Sequence, residues 1–221
     1  MTLKEDPHKS ELRAAGWYSR GYLPHFDGRV VPQFISLHLA DAVPSAVVER
    51  WKQEFARKIS EREKILLQKR IERYADQGYG RAFLRDDRLA EMIQETLLKD
   101  DGKRYRLASW VVMPNHVHLL ATRFEDDTLA EIMQSFKSIT SHKANLLLAR
   151  NGQFWMPDYF DRRIRNAKHY QKTVEYIENN PVKARLCARP ADYQFSSAWF
   201  REHRAERTQF LTGTAGALAR K

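Results

Sequence analysis

Apolar positions along the chain recur with two different periods, and the switches between them mark out its elements. In "QFISLHLAD", Ile35, Leu37 and Leu39 alternate with Ser36 and His38, the pattern of a half-buried strand. Pro44 and Ser45 open a helical stretch that runs to about Tyr74, where "QGYG" is a stop signal. A second helix, roughly 87–99, follows Asp86 and Asp87 and presents Leu89, Ile93 and Leu97 at helical spacing. The period then returns to two: "KRYRLASWVV" predicts a strand, "MPN" a turn in which Pro114 interrupts the ladder, and "HVHLLAT" the returning strand of a hairpin. Thr128 to Glu131, "TLAE", is a capping box. The helix behind it carries Leu129, Ile132, Met133, Phe136, Ile139 and Leu146 on the side expected to face the core. After an aromatic and basic connector with room for one further extended piece, a last helix spans about Ala167 to Asn179. It stops before Pro181, which disfavours the helical conformation of the residue ahead of it.

Residues 1–32 mix six glycines and prolines with aromatics, which predicts an irregular arm tied down by Trp17, Tyr18, Tyr22 and Phe26. Residues 33–203 form the single domain, and 204–221 are a polar, basic tail of a composition that can be disordered. This order of elements predicts an α+β fold, an antiparallel sheet with helices packed on it.

Charge narrows the partner. Lys and Arg outnumber Asp and Glu by 38 to 28, a net +10, so a polyanion is expected, nucleic acid before an anionic membrane surface. The opening "MTLKEDPHKS" lacks an apolar signal-peptide core, and no run reaches membrane-spanning length, so the expected location is cytoplasmic with no membrane partner. Cys187 is the single cysteine, read as a small buried hydrophobe beside Leu186; it excludes an internal disulfide and a cysteine metal cage. No G-x-x-x-x-G-K-[ST] or H-E-x-x-H occurs, which removes nucleotide-driven work and the zinc-peptidase pattern.

Two stretches carry candidate chemistry. In "VVMPNHVHLL", His116 and His118 point to one side of a strand while Val117 and Leu119 point to the other. Such a pair is either a solvated polar face or two ligands of one divalent metal that needs a third donor from elsewhere. His38, by contrast, reads as a satisfied or exposed strand residue. In "VEYIENNPVKARL", Tyr176 and Asn180 lie four apart on one helical face. A phenol can attack phosphorus and an amide oxygen can ligate a hard cation. If that face docks over the histidine strand, one metal can meet His116, His118 and Asn180 while Tyr176 aims at a phosphate; otherwise Tyr176, flanked by Val174 and Ile177, is a core aromatic. Tyr159 and Tyr170 are rival nucleophiles. Tyr159 sits among aromatics, and Tyr170 lacks the amide four residues on. The connector interleaves Trp155 and Tyr159 with Arg162, Arg163, Arg165 and Lys168, a composition suited either to binding a single strand or to packing beside a solvated basic edge. Lys137 and Lys143 are weaker DNA-contact candidates.

With these residues in place the chain resembles the REP-associated tyrosine transposases (RAYTs), a branch of the single-tyrosine HUH transposases acting on single-stranded DNA. The likeness rests on "WYSRGYLPHFD", "MPNHVHLL", "FWMPDYFDRRIRNAKHY", "YIENNPVKA" and "FSSA", in family order over about 17–200. It implies the HUH endonuclease fold, a ferredoxin-like or RRM-like sheet with the histidine pair on a central strand. By motif position it implies His116 and His118 as metal ligands, Tyr176 as nucleophile and Asn180 as third ligand, where insertion-sequence relatives carry glutamine. It further implies Mg²⁺ or Mn²⁺ with no nucleotide, a 5′-phosphotyrosine intermediate, and hairpins of repetitive extragenic palindromes as substrate. A monomer is expected over a homodimer. The rival from another class is a basic protein that binds structured DNA or RNA without chemistry. A replication initiator or relaxase is disfavoured by the motifs.

Overall fold

The computed structural model describes residues 17–19, 24–26, 30–44 and 76–203, with scattered positions between 46 and 74. The tail, 204–221, and most of the expected first helix lie outside the described residues. Those that are described between 46 and 76 are helical.

The arm is more regular than expected. Trp17–Ser19 (β1) and Pro24–Phe26 (β2) pair as a small antiparallel ribbon. The main sheet has four strands, Gln33–His38 (β3), Tyr105–Met113 (β4), His116–Arg123 (β5) and Phe160–Arg163 (β6), in the order β4-β5-β3-β6 with every neighbour antiparallel. The hairpin falls where the alternation placed it, β4 and β5 being joined through Pro114 and Asn115.

The two-residue period decides what each face of the sheet does. Ile35, Leu37, Leu39, Val117 and Leu119 pack with Asp87–Asp100 (α1) and Leu129–Leu147 (α2) into the main core. The opposite face carries Phe34, Val111, Met113 and Leu120, which pack with Ile177 of Ala167–Glu178 (α3). The capping box on α2 is formed in full: Thr128 accepts from the Glu131 N–H, and the Glu131 carboxylate accepts from the Thr128 N–H. Of the expected core positions on α2, Leu129, Ile132, Met133 and Phe136 are buried. Ile139 and Leu146 are instead exposed, Leu146 at 69%, on the later turns of the helix. Cys187 is half-buried and Leu186 exposed, so the buried pair expected there is not found.

The end of α3 is held firmly. Glu178 accepts from Ser197 at 2.7 Å and takes both terminal nitrogens of Arg201 at 2.6 Å, a forked ion pair with the helix Ser197–Glu202 (α5, which follows the short turn Asn180–Lys183, α4). This is the structural work of the "FSSA" motif: Ser196 caps α5, Ser197 binds Glu178, and Phe195 and Ser196 line the outer edge of β4.

A second clamp fixes the arm. His25 is buried between Asp161, 2.6 Å from its Nδ1, and Asp158, 2.7 Å from its Nε2. Burial alone would lower its pKa, but the two carboxylates outweigh it and raise the imidazole to about 9. The folded pKa lies above the unfolded value, so this stabilisation is complete below about pH 6.5 and is lost as pH rises through about 9, a contribution on the order of 3 kcal/mol. The Tm difference between wild type and His25→Gln is therefore expected to be large at pH 6 and to shrink towards zero above pH 9; an equal difference at both pH values would rule the clamp out.

Candidate active site

The register of the sheet gathers three histidines. His116 lies opposite His38, and His118 opposite Ser36, so all four side chains share the face covered by α3. None of the histidines is solvated: His116, His118 and His38 are each at most 1% exposed. The solvated-face reading of the pair is thereby excluded. His38 stacks on His116 with ring centres 5.7 Å apart and meets Ser36 Oγ at 3.3 Å.

The turn before β5 sets the orientation of the first ligand candidate. Asn115 donates from Nδ2 to the Tyr79 carbonyl, which turns its Oδ1 towards His116 Nδ1 at 2.8 Å. Nδ1 must carry the proton of that bond, leaving the lone pair on Nε2. Among the described residues Nε2 of His116 has no hydrogen-bond partner, and neither ring nitrogen of His118 has one. Burial, followed by the neighbouring histidines, drives the pKa of both imidazoles well below the ordinary range, so both are neutral. Buried neutral imidazoles with orphaned nitrogens fit a metal ion, because a protein seldom buries polar atoms with nothing to meet.

A third donor arrives from a place the sequence did not suggest. Asp76, just before the glycine turn, holds Oδ1 3.9 Å from His116 Nε2, and donor atoms of Asp76, His116 and His118 all lie within 4.8 Å of one another. Burial raises the Asp76 carboxyl, with Lys183 acting against it. No periodicity or motif pointed to Asp76, which lies forty residues before the histidines.

Tyr176 stands beside the pair. Its ring centre is 5.4 Å from His118 and 5.9 Å from Phe34, and its hydroxyl is buried with, among the described residues, no partner of regular hydrogen-bond geometry. Burial raises its pKa above the ordinary value of about 10; Glu72 and Asp76 add to the rise, while the Asn180 amide and Arg162 act against it. Asn180 is 2% exposed with an unpartnered Nδ2. The helix breaks between these two residues: α3 ends at Glu178, and Pro181 sits in the first turn of α4, so Asn180 opens a new turn. Tyr176 and the histidines thus meet within one chain.

The connector divides. Trp155 and Tyr159 are 2% and 7% exposed; the Trp155 indole donates to Thr140, and Tyr159 packs on His25 at 4.3 Å. The expectation that these two rings stack on bases is corrected: they are core residues with no face to offer. Lys137 is likewise occupied, donating to the Met156 and Pro157 carbonyls. Arg163, Arg165 and Lys168 are exposed, and Arg163 lies over the Phe26 ring at 5.2 Å. Arg162 is half-buried over the Phe34 ring at 5.6 Å with an unpartnered Nε, which places its charge beside Tyr176. Tyr170, in the first turn of α3 and six residues before Tyr176, is 36% exposed.

Comparison with known proteins finds likenesses of family and of fold. The family described as "Transposase IS200 like" matches residues 78–180. The REP-associated tyrosine transposase of Escherichia coli (strain K12) is 30% identical over 109 residues, 48% of this chain and 63% of that protein, so the match spans less than two thirds of the relative. A solved REP-associated tyrosine transposase bound to a REP hairpin superposes with a TM-score of 0.51 at 20% identity, covering 85% of this chain and 84% of the other, a likeness of fold. Among the described residues no helix is long and apolar enough to cross a membrane. Through residues 78–180, with the paired histidines on a central strand and the tyrosine on a covering helix, the chain is similar to the IS200-like transposases and, among them, to the REP-associated tyrosine transposases.

Proposed function

We propose that this protein is a metal-dependent single-stranded DNA endonuclease and strand transferase, acting at REP-type palindromic hairpins through a 5′-phosphotyrosine intermediate with Tyr176 as nucleophile. One observation carries the reading: a buried tyrosine hydroxyl with no regular hydrogen bond among the described residues lies next to two neutral histidines that share one sheet face and keep three unpartnered ring nitrogens there.

His116 Nε2 and His118 would hold the ion with the Asp76 carboxylate, and the Asn180 amide oxygen is the further donor that the motif implies. The mixed nitrogen and oxygen set suits Mg²⁺ or Mn²⁺. When bound, a divalent ion supplies positive charge that polarises a phosphate and offsets the charge developing on it. Asn115 holds the His116 ring so that its lone pair points into the site. Tyr176 Oη bonds to phosphorus as the bond to the 3′-oxygen breaks; the phenol proton is lost and the departing 3′-oxygen gains one, leaving a 5′-phosphotyrosine and a free 3′-hydroxyl. The phosphodiester is exchanged for another phosphodiester, so the reverse attack rejoins strands without ATP, consistent with the missing P-loop. Arg162 stabilises both the phenolate and the incoming phosphate. Arg163, Arg165 and Lys168 extend this charge along the surface for the DNA backbone. Because the tyrosine and histidines come from one chain, a monomer suffices.

A labelled hairpin with a single-stranded foot, incubated with the protein and Mg²⁺ or Mn²⁺, is expected to yield an adduct that survives denaturation and is absent when EDTA replaces the metal. Binding without any adduct in either metal would favour the rival reading of a non-catalytic binder.

A further inference from the structure

At the same end of the sheet, but on the far side of the glycine turn from the histidines, lies a hollow of about 450 Å³ whose lining includes Asp41, Arg81, Phe83, Arg150 and Gln153. Its cations come from two separate segments and converge on one ring. The guanidinium carbon of Arg150 is 5.0 Å from the centre of Phe83, and that of Arg81 is 6.0 Å away. Phe83 is backed in turn by Phe154 at 6.2 Å. Cation–π contact holds a guanidinium in place while leaving its N–H groups free to donate. Arg150 spends one such group on the Gln153 carbonyl at 3.0 Å, and among the described residues neither guanidinium is paired with a carboxylate.

The hollow is tied to the histidines by a short strap. Gly80 has φ +86, and a Cβ there would come within 2.6 Å of the Asp41 carbonyl oxygen, so only glycine lets the turn pass this close to the end of β3. Asp41 Oδ2 accepts the Arg81 N–H at 2.9 Å and seats the next residue. On the other side of Gly80, Tyr79 accepts from Asn115, the residue that orients His116. The "QGYGRAF" segment therefore links the candidate metal centre to the arginine hollow through a few bonded residues.

We propose that this hollow is a subsite for one nucleotide of the single-stranded foot, its phosphate taken by Arg81 and Arg150; this rests on the reading of the protein as a single-strand DNA transferase. Two arginines against one carboxylate leave a single net positive charge, the balance for one phosphate rather than a run of them. Arginine's forked donors match phosphate geometry. A concavity of this size admits a nucleotide and excludes the convex, uniformly wide surface of a duplex.

The test is fluorescence anisotropy with the full chain, without added divalent ion, using one hairpin with a single-stranded foot and one blunt hairpin over a range of KCl. Arg81→Gln and Arg150→Gln are each expected to weaken the footed hairpin about tenfold at low salt and to reduce the salt slope by about 0.7, the value for one single-strand phosphate contact. Binding of the blunt hairpin should not change. The Arg81 side chain is exposed and only its backbone bonds to Asp41, so Arg81→Gln retains the fold and carries the test should Arg150→Gln lower Tm. Wild-type affinity and slope for the footed probe in Arg81→Gln would overturn the subsite, as would equal losses on the blunt hairpin. The two readings fail separately. Arginine-dependent binding with no covalent adduct would remove the chemistry and leave the subsite, whereas normal adduct formation with unchanged slopes would do the reverse.

Discussion

Tyr176→Phe is expected to abolish strand cleavage and covalent adduct formation, a loss of at least about a thousandfold, while hairpin binding stays within about twofold of wild type. The size of the effect follows from what is removed. Only the hydroxyl disappears; the ring that packs against Phe34 and His118 remains, so the fold and the shape of the site are retained. Among the described residues the hydroxyl makes no hydrogen bond of regular geometry and has only the Asn180 amide beside it, so its removal should cost little stability. A structural tyrosine would behave in the opposite way, with cleavage intact and stability reduced. Gel assays of the adduct together with thermal unfolding of both proteins separate the two.

His116→Ala is the second large effect. It removes the nitrogen that faces Asp76 and leaves Asn115 Oδ1 without the ring that it holds. Metal-dependent cleavage is expected to fall at least a hundredfold, and calorimetric titration with Mn²⁺ should show weakened binding. Unchanged cleavage at saturating Mg²⁺ would remove the metal site from the account. The same titration decides between the two further donors. If Asp76 completes the set, Asp76→Ala weakens Mn²⁺ more than Asn180→Ala does; the reverse order would return that place to the residue expected from the motif.

What the sequence revealed and what it hid divide along physical lines. The alternation in "HVHLL" fixed which residues share a face, because a strand's period of two is a local property, and the structure keeps His116 and His118 together with Val117 and Leu119 in the core. The proximity of Tyr176 to this face required a helix to pack on a sheet, which the pattern suggested but could not place. Asp76 was not recognised because its position depends on the return of a distant segment, not on any neighbour in sequence, whereas His38 is the satisfied strand residue expected, bonded to Ser36. Trp155 and Tyr159 misled for a related reason: aromatic residues between basic ones look alike whether the rings face solvent or core, and here Thr140 and His25 hold them inside. The four residues of β6 were too few to show a period, and the ribbon in the arm, three residues per strand, was shorter still.

The central claim is that one particular hydroxyl becomes bonded to DNA. Its most direct test is mass spectrometry of protease digests after reaction of the wild-type chain with the footed hairpin and Mn²⁺, mapping the peptide that carries the nucleotide. The account requires the modification on Tyr176, in the peptide between Lys172 and Lys183. A modification on Tyr170 or Tyr159, with Tyr176 unmodified, would contradict it.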